Sequence, residues 1–215
     1  GYPTITTKIG DDAAMLMDKL KILFFPSVFA PSEPVRAHRE ITLEETYALL
    51  HGICLAILGK ECNEKAEHIT EEFMFALPEI AEELRNDIHA AYDGDPAASS
   101  ENEIILAYPA FEAISAYRPA HILYKLGLPL LPRILTEAAH KKTGIDIHPG
   151  ATIGHTFFID HGTGVIIGET AILGNNVTLY QGVTLGGTGK EHGKRHPTLK
   201  DNVMVSAGAK VLGSF

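Results

Sequence analysis

The second half of the chain brings histidines and aspartates close together in sequence, as Asp146, His148, Asp160 and His161. An unperturbed histidine has a pKa of about 6.5, and a carboxylate that accepts from one ring nitrogen leaves the other free to take a proton. Asp146 precedes His161 by fifteen residues, which is nearly one turn if this segment coils. The spacing therefore permits a general base made of His161 and Asp146.

A second polar stretch, from Gly186 to Pro197, is too polar and too rich in glycine for a protein core. It predicts an extruded loop, and loops on a rigid scaffold often supply binding residues. Arg195 carries a planar guanidinium that matches a carboxylate. Gly186 and Gly187 let a ligand approach the backbone closely. A surface loop without a binding role is the alternative.

Both stretches lie in a region that returns to an aliphatic residue every six positions. This period fits neither an α-helix nor a simple strand, and it is typical of a hexapeptide solenoid. A loop-rich β-sandwich is the alternative. The leading residues are Ile147, Ile153, Ile159, Ile167, Leu173, Leu179, Leu185, Leu199, Val205 and Val211. A second inward residue is expected four places later, at Ala151, Phe157, Thr163, Ala171, Val177, Val183, Val203, Ala209 and Phe215.

The repeat also predicts where the histidine points. His161 is third in its hexad, between the inward Ile159 and Thr163, so its ring should face outward. Three hexads complete one turn of a triangular solenoid, and two extra residues precede Ile167. Gln181 is therefore expected to stack above His161.

The first half of the chain is predicted to be helical. Acidic residues open the first helix, and Thr42 with Glu45 forms a capping-box pattern for the next one. Pro26, Pro31 and Pro34 indicate a stiff connector between them. Proline and glycine positions then predict breaks in the later helices. The expected helices are 11–25, 42–58, one through Ile69, Phe73 and Leu77, one from Pro78 to Tyr92, shorter ones broken at Pro109, Pro119 and Gly127, and 130–142.

Composition restricts the class of protein further. The 215 residues and 45% hydrophobic content suffice for one or two packed domains. The net charge of −9 argues against nucleic acid or an anionic membrane as partner. We expect no membrane span, no signal peptide and a cytoplasmic location. Cys54 and Cys62 are expected to be reduced thiols rather than a disulfide or zinc site. The apolar helices predict association with other copies.

Several motifs resemble serine O-acetyltransferases. They are Asp95-Pro-Ala-Ala98, Tyr108-Pro109, Gly144-Ile-Asp-Ile-His-Pro-Gly-Ala-Thr-Ile153, Phe158-Ile-Asp-His161, Gly168-Glu-Thr-Ala171, Gly182-Val-Thr-Leu-Gly-Gly-Thr-Gly189 and Arg195-His-Pro197. The resemblance runs from about Asp87 to Phe215. It implies an α+β fold: an α-helical domain, 1–143, for oligomerisation and part of the serine site, and a left-handed parallel β-helix, 144–215. It also implies trimers or dimers of trimers, and transfer of acetyl from acetyl-CoA to L-serine in the first step of cysteine synthesis.

The resemblance assigns roles residue by residue, and it assigns no metal. His161 is the general base and Asp146 its orienting partner. Asp95 and Asp160 meet the serine ammonium and hydroxyl region, and Arg195 and His196 hold the serine carboxylate. The CoA groove lies between neighbouring subunits, and the residues placed in it are Gly187, Thr188, Ala207 and, near the acetyl group, Gln181, where many relatives carry histidine.

Further partners follow from the same resemblance. L-Cysteine is expected as a feedback inhibitor, and O-acetylserine sulfhydrylase is expected to bind a C-terminal tail where one exists. The chain stops at Phe215, one or two solenoid turns before relatives end. We therefore expect the β-helix to be truncated at its C-terminus.

Three other functions are compatible with a hexapeptide solenoid. One is acyl transfer to a sugar or a small amine. Another is a carbonic-anhydrase-like zinc enzyme, which needs three converging histidines. The third is a non-enzymatic scaffold for a sulfhydrylase, which would need neither His161 nor Asp146. The histidines available for zinc are His148, His155, His161, His192 and His196.

Overall fold

The computed structural model describes residues 8–30, 35–189 and 192–215. Helices come first and strands follow. The helices are α1 (Lys8–Phe24), α2 (Pro26–Phe29), α3 (Val35–Leu58), α4 (Asn63–Gly94), α5 (Glu101–Ala107), α6 (Pro109–Lys125) and α7 (Leu131–Thr143), with a 3₁₀ turn at Lys60–Cys62.

Ten short strands form three parallel sheets that wind into a triangular prism. The strands are β1 (Asp146–Ile147), β2 (Thr152–Ile153), β3 (Phe158–Asp160), β4 (Ile166–Ile167), β5 (Ile172–Leu173), β6 (Thr178–Tyr180), β7 (Thr184–Gly186), β8 (Thr198–Leu199), β9 (Met204–Val205) and β10 (Lys210–Leu212). Sheet A has the order β1-β4-β7-β10, sheet B β2-β5-β8 and sheet C β3-β6-β9. This is a left-handed parallel β-helix behind a helical region, so the predicted fold class is confirmed.

Most of the predicted inward positions fill the prism, but Thr163 and Phe215 do not, and Phe215 is 70% exposed. The leading residues from Ile147 to Leu185 are at most 7% exposed, and Leu199 and Val205 are 8% exposed. Thr163 is exposed, contrary to the expectation, and Val165 is fully buried in its place. The two inserted residues lengthen this corner, which moves the inward position along the chain.

Two predicted helix breaks are wrong. Helix α4 runs unbroken through Pro78, and α6 runs through Pro119. A proline inside a helix removes one hydrogen bond and costs about 3 kcal/mol. On α4 the buried face continues across the proline, with Phe73 and Leu77 before it and Ile80 after it. Packing of that face outweighs the local cost.

Helix α3 begins earlier than the capping-box pattern predicted. It starts at Val35, and Thr42 lies inside it, where its carbonyl accepts from the Thr46 hydroxyl at 2.6 Å. It ends at Leu58 as expected, before Gly59 with its φ of 98°. The predicted connector contains the short helix α2 after Phe25, and Pro31 and Pro34 lie outside the described residues.

The same helix contradicts the expectation that no segment could span a membrane. Arg39–Leu58 is 20 residues long and is apolar enough to meet that criterion by length and composition. Core helices of soluble proteins meet the same criterion. In this structure Leu50, Ile53 and Cys54 of the segment are buried in the hydrophobic core.

The helices and the β-helix share one hydrophobic core. Buried residues of α4, α6 and α7 belong to the same cluster as the aliphatic residues of the prism. The helical residues end at Thr143, and β1 begins at Asp146 after a left-handed turn at Gly144 with φ 72°. The division into two domains at this point stays a prediction.

A buried ion pair joins α4, α6 and the first coil. The Arg118 guanidinium donates to both carboxylate oxygens of Asp87, at 2.9 and 2.8 Å, and to the carbonyls of Ile153 and Gly154, each at 2.9 Å. Asp87 also accepts from the Phe157 amide at 2.9 Å. The two side chains are 8% and 0% exposed. The pair therefore fixes two helices to one corner of the prism.

Asp87→Ala should lower the free energy of unfolding by about 3–5 kcal/mol, since it removes both hydrogen-bonded oxygens from the buried Arg118 charge and leaves only the Glu83 carboxylate, 3.8 Å away. Urea denaturation measures this. Glu82→Ala is the control, because Glu82 pairs with Arg85 at the surface and its loss should cost less than about 1 kcal/mol. Equal effects of the two changes would contradict the structural role given to Asp87.

Candidate active site

His161 lies at the corner of the prism between β3 and β4. Its side chain is 75% exposed. The backbone has a φ of 59°, and the following Gly162 has a φ of 96°. Non-glycine residues with positive φ are uncommon, although histidine is among those that adopt it more readily. The turn projects the imidazole away from the core, towards the surface.

Two carboxylates lie near this imidazole, and Tyr108 bonds to one of them. The Asp160 carboxylate lies 3.8 Å from the His161 Nε2 atom. Asp95 accepts from the Tyr108 hydroxyl at 2.6 Å and from the Ala97 amide at 2.8 Å. The pKa of Asp95 lies below its usual range, chiefly because of the hydrogen bond from Tyr108. The Ala97 amide and the nearby His161 imidazole lower it further. The same Asp95 hydrogen bond raises the pKa of Tyr108 to about 12.

Two helix ends bring Asp95 and Tyr108 to His161. Helix α4 ends at Gly94, and Asp95 follows as its C-cap. Helix α6 begins at Pro109, with Tyr108 as its N-cap. Gly94 permits close packing on the prism, because a Cβ at this position would lie 2.8 Å from the ring of Phe158 on β3. Both caps are thereby held beside the corner that carries His161.

A column of exposed residues rises from His161 along the same corner. Asp160 pairs with Tyr180 in the parallel register, which places Gln181 above His161 as expected. Ala207 lies above Gln181. The Gln181 carbonyl accepts from the amide of Gly208, the residue after Ala207, at 2.9 Å. Gln181 and Ala207 are both exposed. The residues Asp95, Tyr108, Asp160, His161, Gln181 and Ala207 are called the His161 corner below.

The position of Asp146 in the prism follows from its strand pairing. Asp146 pairs in register with Ile166, five residues beyond His161, so it lies on sheet A rather than below the histidine. The Asp146 carboxylate lies near the side chains of Glu137 and His140. One carboxylate oxygen or ring nitrogen from each of the three residues lies within 4.8 Å of the others. Among the described residues no ion pair joins Asp146 to His161. The lengthened corner between β3 and β4 accounts for this register.

Arg195 and His196 lie at a different corner, between β4 and β5. The Arg195 guanidinium donates to the Glu169 carboxylate, which also accepts from the Tyr124 hydroxyl at 2.8 Å. The hydrogen bond from Arg195, followed by that from Tyr124, holds the pKa of Glu169 below its usual range. Glu169, in the turn between β4 and β5, therefore holds the Arg195 side chain against the prism.

Gly187 and Thr188 belong to this second corner as well. A Cβ at Gly187 would lie 3.4 Å from the Arg195 carbonyl and 3.8 Å from the His196 ring. Thr188 follows it at the start of the extruded loop, in which Lys190 and Glu191 lie outside the described residues. Arg195, His196, Gly187 and Thr188 are called the Arg195 corner below. Strand β4 separates the two corners, so one chain does not bring all the predicted site residues together.

Sequence reasoning assigned no role to several residues that shape these corners. Tyr108, Glu169 and Thr170 all fall within motifs that carried the resemblance. Tyr124 lies on α6, outside those motifs. Their hydrogen bonds to Asp95, Arg195 and His196 join residues far apart in the chain. The motifs could have indicated Tyr108, Glu169 and Thr170, but no signal in the sequence pointed to Tyr124.

Three of the histidines named for the zinc alternative lie at different corners. His148 follows β1 and contacts the Tyr124 ring, and burial lowers its pKa to about 4. His155 follows β2, and its Nδ1 donates to the Glu83 carboxylate at 2.5 Å. His161 follows β3. The structure therefore does not bring these three rings to one point.

Tyr108→Phe should raise the pKa of Asp95 toward its usual value, because it removes the hydrogen bond that lowers it most. The stability that ionised Asp95 contributes would then be lost at a higher pH during acidification. Carbonyl-carbon NMR titration of the side chain measures the shift. Tyr92→Phe, at an exposed neighbouring tyrosine, should leave the titration unchanged. An unaltered midpoint in Tyr108→Phe would contradict the assignment.

Comparisons with known proteins agree on one family. The family model for the N-terminal part of serine acetyltransferase matches residues 44–116. The serine acetyltransferase of Bacillus subtilis is 60% identical over 132 residues, which cover 61% of this chain and 61% of that protein. The chain thus spans less than two thirds of the length of this curated relative.

Solved structures match over most of both chains. Serine acetyltransferase 1 of Entamoeba histolytica, in complex with L-cysteine, has a TM-score of 0.84 and 35% identity, covering 95% of this chain and 87% of that chain. The Neisseria gonorrhoeae serine acetyltransferase, in complex with serine, has a TM-score of 0.63 and 32% identity, covering 93% and 83%. Fold, sequence and coverage together show that the chain belongs to the serine acetyltransferase family.

Proposed function

We propose that this protein transfers acetyl from acetyl-CoA to the hydroxyl of L-serine, giving O-acetyl-L-serine and CoA. In this role it would catalyse the first step of cysteine synthesis from serine, in the cytoplasm. The observation that carries the proposal is the exposed imidazole of His161 flanked by the Asp95 and Asp160 carboxylates. A histidine can take the hydroxyl proton, and the carboxylates suit the ammonium group of an amino acid.

The serine hydroxyl needs a base because it is a weak nucleophile near neutral pH. His161 takes its proton as the oxygen attacks the thioester carbon. The tetrahedral intermediate then collapses, the CoA thiolate leaves, and the histidine returns the proton. We assign Asp146 the orienting role on the strength of the family resemblance. The alternative orienting residue is Asp160, whose carboxylate lies 3.8 Å from the His161 Nε2 atom.

The ammonium group of serine would bind at the His161 corner, and its carboxylate would bind at the Arg195 corner. Asp95 and Asp160 supply negative charge beside His161, and the pKa of Asp95 is low enough to keep it ionised near neutral pH. Arg195 and His196 supply the donors for the carboxylate. An acceptor that lacks either end would lose one set of contacts, which disfavours sugars and simple amines. Gln181, Ala207, Gly187 and Thr188 are proposed to line the acetyl-CoA groove.

The separation of the corners supports a homotrimer. A second copy could place its Arg195 corner against the His161 corner of the first, and a ring of three such contacts closes on itself. The outer face of sheet A, between the corners, exposes Ile166 and Leu212 at 42% and 44%. Burial of these side chains between copies would stabilise the ring. A dimer of two trimers through the helical region is the larger assembly that we propose.

L-Cysteine is proposed as an inhibitor of the same site. It carries the ammonium and carboxylate of serine on the same carbon skeleton, so Asp95 and Arg195 cannot distinguish the two by charge. The Entamoeba relative is described in complex with L-cysteine. O-Acetylserine sulfhydrylase is proposed as a partner of the full-length protein.

Release of free thiol from acetyl-CoA should depend on L-serine. The measurement compares L-serine with ethanolamine, which lacks the carboxylate, and with a hexose, which lacks both charged ends. Turnover with L-serine alone supports the proposal. Faster turnover with ethanolamine or the sugar would instead favour another hexapeptide acetyltransferase, and no thiol release with any acceptor would favour the scaffold.

His161→Ala should lower kcat by roughly 10² to 10⁴, the usual effect of losing a general base. Steady-state thiol release measures it. His155→Ala is the matched control, because His155 has the same place in the preceding hexad but lies at another corner. Unchanged turnover in His161→Ala would remove this residue from the role of base.

Two impaired variants should complement each other if the site is shared between copies. Arg195→Ala should raise the KM for serine steeply, and His161→Ala should lose turnover. In trimers formed by coexpression of the two, about one quarter of the sites combine an intact His161 with an intact Arg195 from the next copy. Activity should recover accordingly.

Coexpression of His161→Ala with the double variant His161→Ala/Arg195→Ala is the control, because it offers no intact site. Recovery limited to the first mixture supports a shared site. No recovery in trimers shown to contain both variants would place the whole site within one chain.

A further inference from the structure

Thr170, in the turn between β4 and β5, makes an unusual set of contacts for one short side chain. Its hydroxyl oxygen accepts from the backbone amides of Arg195 at 2.9 Å and His196 at 3.1 Å. The same oxygen lies 2.8 Å from the His196 Nδ1 atom. The backbone amide of Thr170 donates to that Nδ1 at 3.1 Å. All four contacts join the turn to the end of the extruded loop.

The hydrogen positions follow from counting donors and acceptors. A hydroxyl has one hydrogen and two lone pairs, and the two amides of Arg195 and His196 occupy both lone pairs. The Thr170 hydroxyl hydrogen must therefore point to Nδ1 of His196. The Thr170 amide can only donate, and it also points to Nδ1. An imidazole nitrogen that receives two donors cannot carry a hydrogen itself, so the hydrogen of the neutral ring lies on Nε2.

The surroundings of the ring favour this neutral form. His196 is 8% exposed, and it packs so closely on Gly168 that a Cβ there would lie 2.1 Å from Nε2. Burial lowers the pKa of His196, and the neighbouring Arg195 and Lys194 charges lower it further, against an opposing effect of Glu169. Protonation of Nδ1 would also set its hydrogen against both donors of Thr170.

We propose that Thr170 is a positioning residue that fixes His196 as an Nε2–H donor to the carboxylate of the amino-acid substrate. This role rests on the proposed function. The carboxylate would then meet one charged donor, Arg195, and one neutral donor, His196. The other tautomer would present a lone pair to the carboxylate and repel it. The same hydroxyl accepts from the backbone amides of Arg195 and His196, so it also fixes the backbone positions from which these two side chains extend.

The tautomer can be observed directly. Nitrogen-15 NMR of protein with labelled histidine distinguishes a protonated Nε2 from a protonated Nδ1, and the His196 signals are identified by their loss in His196→Gln. The expected result at neutral pH is a single neutral form with the hydrogen on Nε2. A hydrogen on Nδ1, or a doubly protonated ring, would overturn the proposal without any change to Thr170.

Variants of Thr170 test the consequence for binding. Thr170→Val keeps the shape and removes the hydroxyl, so it should mix the tautomers and raise the KM for serine roughly tenfold, with kcat changed less than about twofold. Thr170→Ser keeps the hydroxyl and should restore both the NMR signal and the KM. A merely structural role would not link the tautomer to the KM for serine.

The two proposals fail in different ways. If the protein does not acetylate serine, the function proposed above is wrong, whatever the tautomer. If it does, and Thr170→Val loses the Nε2–H form while the KM for serine is unchanged, the role of His196 and Thr170 in carboxylate binding is wrong. Loss of kcat alone in Thr170→Val would also contradict that role.

Discussion

The buried ion pair between Arg118 and Asp87 is the interaction on which the rest of the arrangement depends. Both charges are out of water and stabilise each other, and backbone groups of the first coil make further hydrogen bonds to both side chains. Asp87 belongs to α4 and Arg118 to α6. The pair thus fixes both helices against one coil, and the ends of those helices carry Asp95 and Tyr108 to His161.

The triangular prism explains why the polar residues fall into two groups. The flat faces are built from short strands whose side chains alternate between the core and the surface, so functional side chains concentrate at the corners, where the chain turns. His161 occupies one corner and Arg195 another, with β4 between them. An amino acid has two charged ends a few ångströms apart. In the proposed trimer, a second copy of the prism would bring a histidine corner and an arginine corner that close.

Local sequence rules failed mainly where packing outweighs them. Pro78 and Pro119 each disfavour a helix interior, yet both helices continue because their buried faces continue. The capping-box pattern at Thr42 does not start a helix, because α3 begins at Val35 and already contains Thr42, whose carbonyl accepts from the Thr46 hydroxyl. The spacing between Asp146 and His161 did not by itself give the register of the coils, because two extra residues at one corner place Asp146 opposite Ile166.

The sequence by itself determined the fold class, the length of each coil, the aliphatic residues inside the prism and the outward direction of His161. It could do so because a six-residue repeat leaves each position only one face on which to lie. The motifs added the family. The tertiary structure alone decided that Tyr108 bonds to Asp95, that Thr170 holds His196, and that the two corners lie apart in one chain. These contacts join residues 13 and 26 positions apart, and no local period relates them. They arise from how the helices and the extruded loop fold back on the prism, which is a property of packing rather than of any short stretch of sequence.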